Sequence, residues 1–262
     1  ANSINIGRLI PQVVYYFSAY LQLVESGAIE LGQKVNFTVP TGNFGDVLAG
    51  FYAKLMGLPI HQLIAAANAN HELADFLETG IYDRNRPFLK TVAPSMDIQI
   101  SSNLERLLYY KSGEDSSYVA KLMEELATTG RYQVRPDVLA AIQADFAGGL
   151  KQNDYLLDPH TAVGYHVMQQ YRETTGDSTP NVLLATASPY KFPRAVAQAL
   201  DLPVTGDDFA VMTQLHQMSG VPIPANLARL ATLTAQPKHV VAPEEMGQAI
   251  IAAAKEVFNN DQ

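Results

Sequence analysis

The sequence of 262 residues contains no cysteine, so disulfides, thiolate catalysis and Cys-based metal sites are all excluded. Charge is also sparse: charged residues make up 17% of the chain, with 18 Lys and Arg against 26 Asp and Glu, a net charge of −8. No Lys/Arg cluster occurs anywhere. A nucleic-acid or anionic-membrane partner requires a basic face, so neither partner is expected, and the mild acidic excess reads as a solubility feature. No apolar run approaches the roughly 20 residues of a membrane span. Ala1-Asn2-Ser3 is polar, uncharged and leads into a helical pattern, unlike a signal peptide. Together with the lack of cysteine, this fits a cytoplasmic setting. An initiator Met is missing too, and the expectation is a piece excised from a longer chain.

What is present is ordinary globular material, 47% hydrophobic with 17 Gly and 15 Pro, enough for one large or two modest domains. From Asn5 to Glu25 the apolar residues Ile6, Leu9, Ile10, Val13, Val14, Phe17 and Leu21 recur at helical spacing, with Pro11 expected to bend the helix. Tyr15, Tyr16 and Phe17 read as packing residues. Val35 to Val39 alternates like a strand and runs into Thr41-Gly-Asn-Phe-Gly-Asp46, then a helix over 47–56 closed by Gly57 and Pro59, then a strand over 62–67. Strand, glycine-rich turn, helix and strand make one βαβ unit of a parallel sheet. Further helices are expected at 71–78, 102–112, 116–129, 136–147, 160–174, 191–200, 207–218, 224–230 and 244–258, and one more strand at 181–186. This divides the chain into a βαβ part, about 1–112, and a helical part, about 113–262, that carries the strand at 181–186. Three strands make an incomplete sheet for so many helices, and an exposed apolar edge is expected to favour self-association.

Three clusters carry candidate chemistry. In Pro40-Thr41-Gly42-Asn43-Phe44-Gly45-Asp46 the glycines admit a ligand close to the backbone, and the helix that follows aims free N–H groups and a positive dipole end at the same point. The motif reads either as a phosphate site or as a tight βα turn with Asp46 capping the helix. It is neither GxGxxG nor a Walker A loop. Thr186, at the end of the third strand, stands at the ligand edge of a parallel sheet, where its hydroxyl can meet a cofactor ring nitrogen. Taken alone, a cap for the helix near Lys191 is the simpler reading. Asn2, Ser3 and Arg8 surround one helix start and can clamp an anion; taken alone, capping by Ser3 or Asn5 with a solvated Arg8 is simpler. The segment Asp158-Pro-His-Thr-Ala162 opens a helix, with Asp158 or Thr161 as its cap and His160 a partner for a neighbouring loop. Glu114-Asp115 and Glu244-Glu245 read as helix N-terminal charges.

Five segments in order, Asn2-Ser-Ile-Asn-Ile-Gly-Arg8, Pro40–Asp46, Ser95-Met-Asp-Ile98, Asp158-Pro-His-Thr-Ala-Val-Gly164 and Thr186-Ala-Ser-Pro-Tyr-Lys-Phe192, resemble the threonine synthase family across most of the chain. The resemblance implies an α/β fold: a partial parallel sheet of the fold-type-II pyridoxal-phosphate (tryptophan synthase β-like) type, with a helix-rich C-terminal part. It implies conversion of O-phosphohomoserine and water to threonine and phosphate. By that resemblance Gly42, Asn43, Phe44, Gly45 and Asp46 hold the phosphate of pyridoxal 5'-phosphate and Thr186 faces its ring nitrogen. Asn2, Ser3 and Arg8 hold the substrate phosphate, and no metal takes part.

The family's Schiff-base lysine lies upstream in a Phe-Lys-Asp-like context. None of the lysines here (34, 54, 90, 111, 121, 151, 191, 238, 255) has that setting. No catalytic residue is therefore expected within this chain, which is expected to be inactive alone and to need the missing N-terminal segment of the same enzyme. Two alternatives stand beside this reading. One is a different fold-type-II lyase or dehydratase, which would have no second phosphate to clamp at Asn2, Ser3 and Arg8. The other is a non-catalytic phosphate-ligand binding domain.

Overall fold

The computed structural model describes residues 5–150, 157–233 and 240–260. The chain divides into two compact units, residues 1–223 and 224–262. In chain order the first contains α1 (Ile6–Glu25), β1 (Val35–Pro40), α2 (Gly45–Leu55), β2 (Ile60–Ala67), α3 (Glu72–Thr79), β3 (Ile81–Asp83), α4 (Leu104–Lys111), α5 (Ser116–Thr129), β4 (Arg131–Gln133), α6 (Pro136–Gln143), β5 (Phe146–Leu150), α7 (Pro159–Thr175), β6 (Asn181–Leu183), α8 (Pro193–Ala199) and α9 (Asp208–Ser219). The second contains α10 (Ala225–Leu230) and α11 (Met246–Asn260), the latter preceded by a short 3-10 turn over Pro243–Glu245.

The main sheet is parallel, in the order β5-β2-β1-β6, so the expected α/β architecture with a parallel sheet is present. It is one strand wider than the sequence suggested. Residues 146–147 were expected to end a helix, but the chain leaves α6 at Gln143 and Phe146–Leu150 pairs in register with Leu63–Ala67. The Gly148–Gly149 pair hides this strand from periodicity, and its partner lies about 80 residues upstream, so tertiary pairing decides. Two three-residue strands, β3 and β4, form a separate antiparallel pair. They are too short to leave a pattern in sequence.

Alternation along β2 shows how the sheet is covered. Leu63 and Ala65 join the core that contains Leu9, Tyr16, Val47, Leu48 and Phe51 of α1 and α2. Ile64 and Ala66 instead pack with Val163 and Val167 of α7 and with Ala93 and Met96. With helices on both faces, every residue of β1 is buried. Two of these are polar and paired: Asn36 Nδ2 donates to Asp177 at 2.8 Å, and Thr38 Oγ1 donates to Asn181 at 3.0 Å. Close approach of α7 depends on Gly164, where a Cβ would lie 2.7 Å from Leu183 and 3.0 Å from Pro40. α1 runs through Pro11 and is capped by Asn5, whose Oδ1 accepts the Gly7 N–H at 2.9 Å.

Candidate functional site

The C-terminal ends of β1 and β6 open into one cavity of about 960 Å³. Its wall includes Arg8, Gln12 and Tyr15 of α1, residues 40–46, Ser95 and Ile98, and residues 182–186. Of the residues singled out from sequence, Arg8, Gly42, Asn43, Phe44, Gly45, Asp46 and Thr186 are thus brought together. Asn2 and Ser3 lie outside the described residues.

The turn after β1 is held rigidly. Thr41 N–H continues the ladder to Ala66 O at 2.9 Å. At Gly42 a Cβ would meet Ser95 O at 2.8 Å and Met96 Cα at 3.1 Å, so the two segments touch backbone to backbone and only glycine fits. Asn43 faces the following loop: its Oδ1 accepts the Ser102 N–H at 2.8 Å and the Ser102 hydroxyl at 2.6 Å. Phe44, the residue before α2, has φ 60°, the left-handed region that a bulky side chain rarely adopts. Its ring is fully buried with a centroid 5.6 Å from that of Phe146, and that packing stabilises the conformation.

α2 therefore starts at Gly45 with no side-chain cap. Its first-turn N–H groups have no partner within the helix and point toward the cavity end of the element. Asp46, read from sequence as a cap, does not cap. Its Oδ1 is buried without a hydrogen-bond partner, and burial pushes its carboxyl up to about 6. The Tyr16 hydroxyl donates to the Asp46 carbonyl at 2.7 Å and ties α1 to α2.

Thr186 is exposed, three residues beyond β6. It does not cap the helical turn near Lys191; that role falls to Ser188, whose hydroxyl accepts the Tyr190 N–H at 3.3 Å. Thr186 stays on the cavity wall.

Two wall residues were not singled out as site residues in the sequence. Gln12 places a buried, unpartnered Oε1 there. Tyr15, expected to pack, is 58% exposed and also lines the cavity, whereas Tyr16 is fully buried and Phe17 packs against the core. Helical spacing shows which residues share a face but not that one face borders a cavity.

The Ser95 segment is anchored at Asp97. Asp97 Oδ1 accepts from Asn68 Nδ2 at 2.7 Å, Thr91 Oγ1 at 2.7 Å and Asn70 Nδ2 at 3.1 Å. Asp158 caps α7 as expected, accepting the N–H groups of His160 and Thr161. Among the described residues no cluster of three His, Asp or Glu could hold a metal ion, and no helix is long and apolar enough to cross a membrane.

Residues 161–251 match the family model described as threonine synthase, C-terminal. Human threonine synthase-like 1 is 42% identical over 217 residues, covering 77% of this chain and 29% of that protein. The crystal structure of PLP-bound threonine synthase from Brucella melitensis is 42% identical with a TM-score of 0.73, over 89% of this chain and 48% of that one. The structure of threonine synthase from yeast gives a TM-score of 0.76 at 35% identity, over 89% of this chain and 49% of that one. The chain thus spans less than half the length of these relatives. By sequence and by fold, the chain is similar to threonine synthases, and its residues 161–251 to the C-terminal part of that family.

Proposed function

We propose that this chain supplies the cofactor-phosphate cradle and part of the substrate clamp of a threonine synthase, the pyridoxal-phosphate lyase that converts O-phosphohomoserine and water to threonine and phosphate. The observation that carries the proposal is the single cavity onto which Gly42–Asp46, Thr186 and Arg8 all open.

The residues present fit the cofactor. A cavity of this size is at the upper end of ligand sites, typically about 300–1,000 Å³. An uncapped helix N-terminus beside Gly42 and Gly45 is a ready anion site. When bound, pyridoxal phosphate supplies an electron sink for carbanion chemistry at the substrate amino acid. The first-turn N–H groups of α2 hold its phosphate, and the backbone contact between Gly42 and Ser95 keeps that turn from yielding. The Thr186 hydroxyl pairs with the ring nitrogen as a neutral group. Arg8 contributes a guanidinium to the substrate phosphate, with Asn2 and Ser3 completing the clamp.

We assign the Schiff-base lysine to the remainder of the same enzyme, together with the covering of the exposed α1 stripe Ile6, Ile10 and Val14. In support, no lysine among the described residues lines the cavity. Lys54 and Lys111 pair with Asp145, and Lys191 lies beside the Phe192 ring. The phosphate clamp at Arg8 favours this reading over a dehydratase, whose substrate carries no phosphate.

The test is an absorbance titration with pyridoxal phosphate, with and without the lysine-bearing segment, followed by an assay for threonine from O-phosphohomoserine. The expected result is a long-wavelength band and turnover only in the mixture. A stoichiometric band with this chain alone would put the lysine within it, and no binding in either case would end the proposal.

A further inference from the structure

Asp158, His160 and Thr161 are only 1%, 2% and 1% exposed, yet the proposed reaction gives them no task. Capping explains part of the cluster. Asp158 Oδ1 accepts the His160 N–H at 3.0 Å and the Thr161 N–H at 3.4 Å, and its Oδ2 accepts the Thr161 hydroxyl. A helix cap needs no more than this.

The imidazole is additional to the cap. Its Nδ1 lies 2.7 Å from Asp158 Oδ1, and its Nε2 accepts the Ser95 N–H at 3.1 Å, across 65 residues of sequence. A nitrogen that accepts carries no proton, so the other nitrogen carries it and donates to Asp158. Burial raises the Asp158 carboxyl, but the hydrogen bonds from His160 and Thr161 outweigh it and hold the group below its ordinary value. The ring also packs on Phe192, centroid to centroid 4.8 Å, at the end of the turn that carries Thr186. One side chain thus joins the cap of α7, the Ser95 wall and the Thr186 turn.

Ser95 is the residue whose carbonyl sits against Gly42. The Asp97 end of its loop is fixed by Asn68, Asn70 and Thr91. The Ser95 end is fixed through His160. We propose that His160 is a positioning residue: oriented by Asp158, it holds the Ser95 backbone against Gly42 and so sets the cofactor wall. The inference rests on the pyridoxal-phosphate reading above.

Two substitutions separate the two ring nitrogens in the full polypeptide that carries this chain. His160→Gln puts an acceptor at the depth of Nε2 and restores the bond to Ser95, while Asp158 keeps its other three donors. His160→Asn keeps a donor at the depth of Nδ1 and falls short of Ser95. The measurements are the pyridoxal phosphate dissociation constant, amide exchange over residues 90–98, and the thermal midpoint without cofactor. The expected result is a loss of about tenfold or more in affinity for His160→Asn, about one lost hydrogen bond plus its geometry, with faster exchange over 90–98. His160→Gln is expected to stay within about threefold of the parent at a similar thermal midpoint. Equal losses in both variants, or parent-like affinity and exchange in His160→Asn, would overturn the positioning role. Failure of the parent to bind pyridoxal phosphate would instead overturn the cofactor reading on which the role depends.

Discussion

The cavity is built from two turns that follow neighbouring parallel strands, and they are made in opposite ways. The turn after β1 is dense: Thr41 is 6% exposed, Phe44 is fully buried, and the contact at Gly42 is backbone on backbone. The turn after β6 is open, with Ala185 and Thr186 exposed and a serine cap two residues further on. A group recognised through backbone N–H needs a chain that cannot shift. A group recognised through one hydroxyl needs only that the hydroxyl reach it. The first turn spends its sequence on holding shape, and the second on one side chain.

The sharpest way to break the contrast is Gly42→Ala. The new methyl would lie 2.8 Å from the Ser95 carbonyl oxygen and 3.1 Å from Met96 Cα, backbone atoms that cannot swing aside, so about 1–3 kcal/mol of stability should be lost along with most cofactor affinity, read by thermal unfolding and by absorbance titration. An Ala variant that binds cofactor normally would show that the turn is less rigid than its contacts imply.

The next effect is a pH dependence at Asp46. Its folded value of about 6 lies above the ordinary carboxylate value, so the native state keeps its proton longer than the unfolded chain does. Stability from this group is fully present below about pH 4. It declines as pH rises toward about 6 and is absent above that. Asp46→Asn should flatten that decline and leave the variant more stable than the parent above pH 6, in urea unfolding followed from pH 4 to 8. A parallel pH profile for both proteins would place the titration elsewhere.

The smallest effect belongs to the open turn. Thr186→Val changes an exposed side chain with no packing role and should alter stability by no more than about 0.5 kcal/mol. It should still weaken cofactor binding by the worth of one hydrogen bond, about 1 kcal/mol or roughly fivefold. A stability loss comparable to that of Gly42→Ala would erase the distinction between the turns.

The same contrast governs how far sequence could be read. The βαβ unit was legible because strand, Gly42–Gly45 turn, helix and Gly57 stop are all local signals, and α5 was expected at the bounds it has, Ser116–Thr129. Phe146–Leu150 was misread because its strand character comes from pairing with β2 and not from its own residues. Gly42, Gly45 and Thr186 announced themselves by type and place. Gln12 and Tyr15 could not, since a helix face borders a cavity only once β1 and β6 stand beside it. The bond from His160 to Ser95 was beyond reach for the same reason: a histidine at a helix start was legible as the partner of a neighbouring loop, but not of which one.

The strand order carries a consequence for how the protein is made. β1 and β2 meet across a short connection, whereas β1 meets β6 through contacts such as Thr38 to Asn181, 143 residues apart. Closing so long a loop is slow, and it waits on synthesis. The β1 flank of the sheet stays uncovered on a growing chain until residues 181–186 have emerged. The cavity therefore cannot be completed until β6 is made, and a chain halted before β6 retains the β1 turn with no opposite wall.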